Sequence, residues 1–328
     1  MSEPEDALDV TIIVCAYSLD RWKELQAAIE SLRRQTRRPR QTILVIDGND
    51  ELLTRARGAF QDVQVVANAH GPGASGGRNT GYDLSLAPVL VFLDDDTVTE
   101  PTWLDNLVRP LSDPTVLGTG GDLRPLWQSP RPTWFTSEFN WVVGCTYTGM
   151  PTVQSPIRNP ICANMSVRKS VFESAGGFEQ ALSRLDTGGV VTGTAEETEF
   201  CIRALRRNPG STWIFVPDAR VEHVVPSGRT TWAFFRQRCR LEGASKAILT
   251  ELAGAEDGLS SERAYVISVL PRGVLRELGA AVRGDRHALG RAGSIVAGVW
   301  YTASAYLRVR FDMATGRRSR PISSVGTD

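Results

Sequence analysis

The sequence predicts an α/β fold: a mostly parallel sheet flanked by helices, followed by a helical C-terminal extension. Three observations carry this. Apolar β-branched runs alternate with amphipathic segments over the first hundred residues, aspartates stand where two of those runs end, and the apolar pattern turns helical from Thr231 to about Arg310.

Val10 to Cys15 is a continuous apolar run, as a strand buried on both faces of a parallel sheet requires. From Arg21 to Gln35, Leu25, Ala28, Ile29 and Leu32 fall on one helical face, and the segment stops before Pro39. A second strand, Thr42 to Ile46, ends at the turn cluster Asp47-Gly48-Asn49-Asp50. Val63 to Ala67 leads through a glycine-rich loop to a short helix over Asn79–Leu86, and Val89 to Leu93 runs into Asp94, Asp95 and Asp96. Ligands of such sheets sit at the C-terminal ends of the strands, where Asp47 and the aspartate triplet lie. Arg124 to Pro160, rich in proline and tryptophan, reads as loops and short strands shaping an acceptor side of a cleft. A helix from Thr194 to Arg207 follows the glycine-rich Gly188–Gly193, and Ile214–Val216 and Ala219–Val225 read as two further strands. The expected organisation is a polar tail over 1–9, a domain over 10–230 with halves at 10–123 and 124–230, a helical segment over 231–315 and a tail over 316–328.

The 328 residues carry 37 basic and 37 acidic side chains, a balance that argues against a nucleic-acid partner. Five scattered cysteines without a C-x-x-C pair fit reduced thiols. The N-terminus lacks a basic start and apolar run, and the uncharged, largely apolar stretch Ala292 to Leu307 falls short of the roughly 18 residues a membrane span needs. A cytoplasmic protein, peripheral at most to the inner face of the membrane, is expected.

Three successive carboxylates repel one another unless a cation is near, and hard oxygen ligands suit Mg²⁺ or Mn²⁺ together with phosphate oxygens. Turn bonds and helix capping ahead of Pro101 are the alternative use of the triplet. Gly71-Pro72-Gly73-Ala74-Ser75-Gly76 satisfies the G-x-G-x-x-G pattern of an NAD(P)-dependent oxidoreductase, but Pro72 removes a backbone donor and the loop follows the third strand, not the first. Glu197 lies three residues after Thr194, as in a helix capping box.

Taken together, Val10 to Val225 resembles the family 2 glycosyltransferases. The strand end Cys15-Ala16-Tyr17-Ser18 stands for that family's C-T-Y-N-R, with two departures; Gly73 to Asn79 matches G-x-x-x-x-R-N; Phe92 to Asp96 matches F-L-D-x-D. Asn164 to Arg168, Gly176-Gly177-Phe178, Glu196 to Arg203 and Val221-Glu222-His223 follow in the family's order. The resemblance implies the GT-A fold with its Rossmann-like nucleotide-binding sheet, and metal-assisted, inverting transfer of a sugar from a UDP-, GDP- or TDP-sugar to an acceptor hydroxyl. It implies donor contacts from Ala16, Tyr17, Asp47, Arg78 and Asp94, metal ligation by Asp96, His223 and Asp94, and a general base at Glu197 or else Glu196, with Asp95 unassigned. A glutamate stands at 197 where the family usually has aspartate. Closure of Gly188–Gly193 over the donor is a further expectation. Other readings are a non-catalytic nucleotide-sugar binder, suggested by Ala16, Ser18 and Glu197, and a nucleotidyltransferase, whose glycine-rich motif with arginine and lysine is absent after the first strand. His70 and His287 match nothing in the family.

Trp127, Trp134, Phe135, Phe139 and Trp141 read either as a sugar-stacking wall or as core. The arginines and apolar residues between Arg272 and Arg310 read as helices that pack on the catalytic domain, form a homo-oligomer, or touch an anionic membrane.

Overall fold

The structure is a computed structural model, which describes residues 8–180, 185–186, 191–192, 196–258 and 260–316. The expected Thr194 cap, most of the Gly188–Gly193 loop and the two tails, except for residues 8, 9 and 316, lie outside the described residues. The chain forms two compact units, one of 1–126, 151–185 and 196–224, the other of 127–150, 186–195 and 225–328.

The first unit opens as β1 (Val10–Ala16), α1 (Trp22–Arg33), β2 (Gln41–Ile46), α2 (Asp50–Ala59), β3 (Gln64–Ala67), α3 (Ala74–Asp83) and β4 (Val89–Asp94). It continues with β5 (Thr97–Thr99), α4 (Trp103–Val108), β6 (Val116–Trp127), β7 (Ser155–Ile157), β8 (Asn164–Arg168) and α5 (Lys169–Ala175). The two-residue strands β9 (Leu185–Asp186) and β10 (Val191–Thr192) precede α6 (Glu196–Arg207) and β11 (Thr212–Val225). The sheet order is β3-β2-β1-β4-β8-β6-β11-β5, with β7 on β11. β3, β2, β1 and β4 are parallel, and β8 turns the sheet antiparallel. Both faces of the parallel part are covered: Ile13, Ile43 and Phe92 enter one cluster with Phe172, Phe178, Phe200 and Trp213, while Ile12, Val14, Leu44 and Val91 are equally buried on the other side.

Several elements differ from the sequence reading. α2 was not expected; Asn49 caps it by accepting a bond from Leu52 N at 2.9 Å, so the turn cluster is a helix start. α3 begins at Ala74, not Asn79, with Gly73 at φ +107° before it. Its glycines let the helix lie close on β1: a Cβ on Gly81 would stand 2.4 Å from the Ile13 side chain, and one on Gly77 2.9 Å from Cys15 Sγ. β6 runs through Arg124, and Ile214–Val216 and Ala219–Val225 are one strand, β11, continuous across Pro217.

The second unit contains α7 (Trp232–Gly258), α8 (Ser260–Ala264), α9 (Leu270–Val282) and α10 (Ala288–Ala314), with a π-helical turn at Tyr265–Val269. α10 packs on α7 closely enough that a Cβ on Gly243 would meet the Thr302 carbonyl oxygen at 2.1 Å. Phe135 and Phe139 are core residues, joined to Phe235 and Trp134 by ring contacts of 5.2 to 6.2 Å. Glu138 is fully buried and bonded to Arg276 at 2.8 Å, and Arg291 bridges Glu277 and Asp285 at 2.6 Å each.

Candidate active site

The acidic triplet is formed by a change of direction. β4 ends at Asp94, Thr97 Oγ1 donates to the Asp94 carbonyl at 2.8 Å to close the turn, and β5 then pairs antiparallel with β11. That pairing sets His223 opposite Thr97 and lets Val224 N donate to the Asp96 carbonyl at 2.8 Å. His223, far away in sequence, thereby reaches Asp96, with Nε2 3.2 Å from Oδ1.

Asp94, Asp96 and His223 bring one ligand atom each to within 4.8 Å of one another. Two carboxylates and an imidazole make a donor set suited to a divalent ion such as Mn²⁺. The Asp96 and His223 side chains are each 5 % exposed, whereas Asp94 is 37 % exposed, so the set opens to solvent on the Asp94 side, where phosphate oxygens can complete a coordination shell.

Cations already offset the negative charge. Arg21 Nη1 lies 2.9 Å from Asp95 Oδ1 and 3.1 Å from Asp96 Oδ2. Burial pushes the Asp95 carboxyl up to about 7, against the pull of Arg21, with Asp96 and Asp94 adding to the rise. Arg78, buried in the second turn of α3, reaches Asp94 at 3.3 Å and Glu196 at 3.5 Å. Asp47 anchors the glycine-rich loop, accepting from Asn68 Nδ2 at 2.8 Å and from Gly73 N at 2.7 Å. Ala16 accepts Asp47 N at 2.8 Å, and Tyr17 beside it is 56 % exposed with the Arg21 guanidinium 5.2 Å from its ring centre.

Glu196 and Glu197 open α6 and differ in setting: Glu196 is buried in its pair with Arg78, and Glu197 is half-buried. The acidic residue and arginine that follow are structural. Arg203 forks onto Glu199 at 2.8 and 2.7 Å and donates to the carbonyls of Ala175 and Gly177, where α5 ends on two left-handed glycines. Asn79 completes this join, exchanging two bonds with the backbone of Phe178 at 2.9 and 3.0 Å. Asn164 is likewise consumed by structure, accepting Trp103 Nε1 at 2.8 Å and donating to Ala219 at 2.9 Å.

The model for glycosyl transferase family 2 matches residues 11–176. The chain belongs to that family. It is 31 % identical over 246 residues to a glucosyl-dolichyl phosphate glucuronosyltransferase of Haloferax volcanii, covering 74 % of this chain and 77 % of the relative. It is 23 % identical over 167 residues to a pre-mycofactocin glycosyltransferase of Mycobacterium tuberculosis, covering 51 % of this chain and 33 % of the relative. A mannosyltransferase of Pyrobaculum calidifontis, solved with GDP-Man and Mn²⁺, superposes with a TM-score of 0.57 at 15 % identity, over 93 % of this chain and 87 % of that one. The fold is therefore GT-A and the chain is a glycosyltransferase.

Family membership retires the oxidoreductase reading, and the loop geometry agrees. A Cβ on Gly76 would stand 1.7 Å from the Gly71 carbonyl oxygen, so these glycines serve the packing of the loop against α3. Arg21 is the residue that sequence reasoning missed. The family motif closes on an arginine directly after its asparagine; here Leu19 and Asp20 intervene, and the arginine three residues past Ser18 reaches the aspartates instead.

Proposed function

We propose that this glycosyltransferase moves a sugar from a nucleotide-diphosphate donor to an acceptor hydroxyl, with inversion at the anomeric carbon and with Mg²⁺ or Mn²⁺ held by Asp96, His223 and Asp94. The observation that carries the reading is the gathering of these three side chains at the C-terminal end of β4. A divalent ion there supplies Lewis acidity to a leaving diphosphate. The neighbouring mannosyltransferase fold with its GDP-Man and Mn²⁺ supports the same use of the sheet.

The chain's own residues supply the rest. Asp47 and Arg78 line the donor end, one fixing the loop after β3 and the other balancing Asp94. Of the two glutamates, Glu196 pairs with buried Arg78, and the more exposed Glu197 is assigned as the base that takes the acceptor's proton. It stands in the first turn of α6, and the assignment rests on its reaching the acceptor hydroxyl.

The test is release of nucleoside diphosphate from a panel of UDP-, GDP- and TDP-sugars with Mn²⁺. One donor class is expected to turn over, with product of inverted anomeric configuration by NMR. Glu197→Gln should bind that donor and lose turnover by about 10² to 10⁴-fold. Wild-type turnover in Glu197→Gln would remove it from this role, and retained configuration would refute inversion.

A further inference from the structure

α10 carries two apolar faces. The inward one includes Ala288, Ile295, Gly298, Val309 and Met313. The outward one is Leu289, Val296, Trp300, Leu307 and Phe311, between 56 and 70 % exposed. Their spacings of seven, four, seven and four residues hold them within about 60° of helical arc along about 33 Å of axis. α9 repeats the pattern, with Leu275, Leu278 and Val282 exposed opposite buried Leu270, Gly273 and Glu277. Ten of the sixteen exposed large hydrophobics among the described residues fall between Val266 and Phe311, so this is a surface and not a scatter.

Charge decides what covers it. The chain as a whole is neutral, yet residues 263–316 hold eight arginines against Glu277, Asp285 and Asp312. Two of those acids are engaged by Arg276 and Arg291, while Arg272, Arg283 and Arg308 are exposed beside the apolar rows with no acidic partner among the described residues. Two copies meeting through this face would set arginine against arginine. No helix among the described residues is long and apolar enough to cross a bilayer, so the geometry fits a helix pair lying in the interface plane, with Trp300 at headgroup depth and the arginines reaching phosphates.

We propose that the outer faces of α9 and α10 dock this enzyme on an anionic lipid surface. The test is co-sedimentation of the full chain with phosphatidylcholine vesicles, with and without about one-third phosphatidylglycerol. Binding at least tenfold stronger to the anionic vesicles and declining with salt is expected. Trp300→Ser with Leu307→Ser should weaken it at least tenfold. Arg272→Gln with Arg308→Gln should weaken it by about 25-fold, at about fivefold per arginine. Both pairs should keep the wild-type melting temperature and vesicle-free nucleotide release, which separates this proposal from that for the catalytic site. Absence of binding to anionic vesicles would overturn the proposal, as would equal binding by either variant pair. A concentration-dependent dimer without vesicles, abolished by Trp300→Ser with Leu307→Ser, would reassign the face to a second copy.

Discussion

Arg203 is the residue on which the placement of the two α6 glutamates depends. Its side chain is 14 % exposed and that of Glu199 10 %. One guanidinium satisfies both carboxylate oxygens and two backbone carbonyls at the C-terminal end of α5. Truncation in Arg203→Ala leaves a largely buried carboxylate without its partner, a change that costs about 3 to 5 kcal/mol when one member of a buried pair is removed. Partial access of water to Glu199 puts the expectation at the lower end, about 3 kcal/mol, or about 5 to 10 °C in melting temperature for a chain of this size. Glu199→Gln keeps the shape and one of the two bonds and should cost about 1 kcal/mol. The double variant Arg203→Met with Glu199→Met removes both charges and should lie closer to wild type than Arg203→Ala does. Thermal melts of the four proteins, with nucleotide release measured on each below its transition, make the comparison. A loss under about 0.5 kcal/mol for Arg203→Ala would refute the structural reading. So would a Glu199→Gln protein of wild-type stability and lost turnover, because Glu199 would then act on substrate.

The same melts bear on Glu196: Glu196→Gln, which uncovers the buried charge of Arg78, should lose about 1 to 2 kcal/mol. Gly76→Ala would gain about 1 kcal/mol in an open helix but should instead lose about 3 kcal/mol, measured by the same method, because its Cβ meets the Gly71 carbonyl oxygen at 1.7 Å. For pH, burial pushes the Glu138 carboxyl up, but the Arg276 bond and its other hydrogen bonds outweigh it and hold the group below its ordinary value. A depressed folded pKa gives stability that is present above the unfolded value of about 4.3 and lost as pH falls through the folded one. Arg276→Met should therefore flatten the acid limb of a plot of melting temperature against pH, and an unchanged limb would contradict the pairing.

Three of the four parallel strands, β1, β2 and β4, were legible because each carries a continuous apolar run buried on both faces, and the aspartates mark where two of them stop. The order of Asp47, Arg78, the triplet, the α6 glutamates and His223 was legible as a family pattern. What escaped was mostly set by close approach, which leaves small residues where periodicity looks for large ones. Gly118 and Gly121 in β6 stand where a Cβ would meet the carbonyls of Ser166 and Ala219 at 2.2 and 2.1 Å, so the strand has few β-branched residues to announce it. The start of α3 is hidden in the same way. α2 buries only Leu52 and Ala56, too few to give a period. Arg21 lay outside the motif register by two residues, and the role of Arg203 depends on carbonyls 26 and 28 residues away that no local pattern displays.

The most direct test of the metal and diphosphate site is a thermal-shift titration of the wild type and Asp96→Asn with UDP, GDP and TDP, each with and without Mn²⁺. A ligand at about a hundredfold over its Kd stabilises by about 2.7 kcal/mol, which such a melt resolves. One diphosphate is predicted to raise the wild-type melting temperature more with Mn²⁺ than without, and Asp96→Asn is predicted to lose that increment. If no diphosphate stabilised the wild type in either condition, or if Asp96→Asn kept the full Mn²⁺ increment, the site assigned to Asp94, Asp96 and His223 would be contradicted.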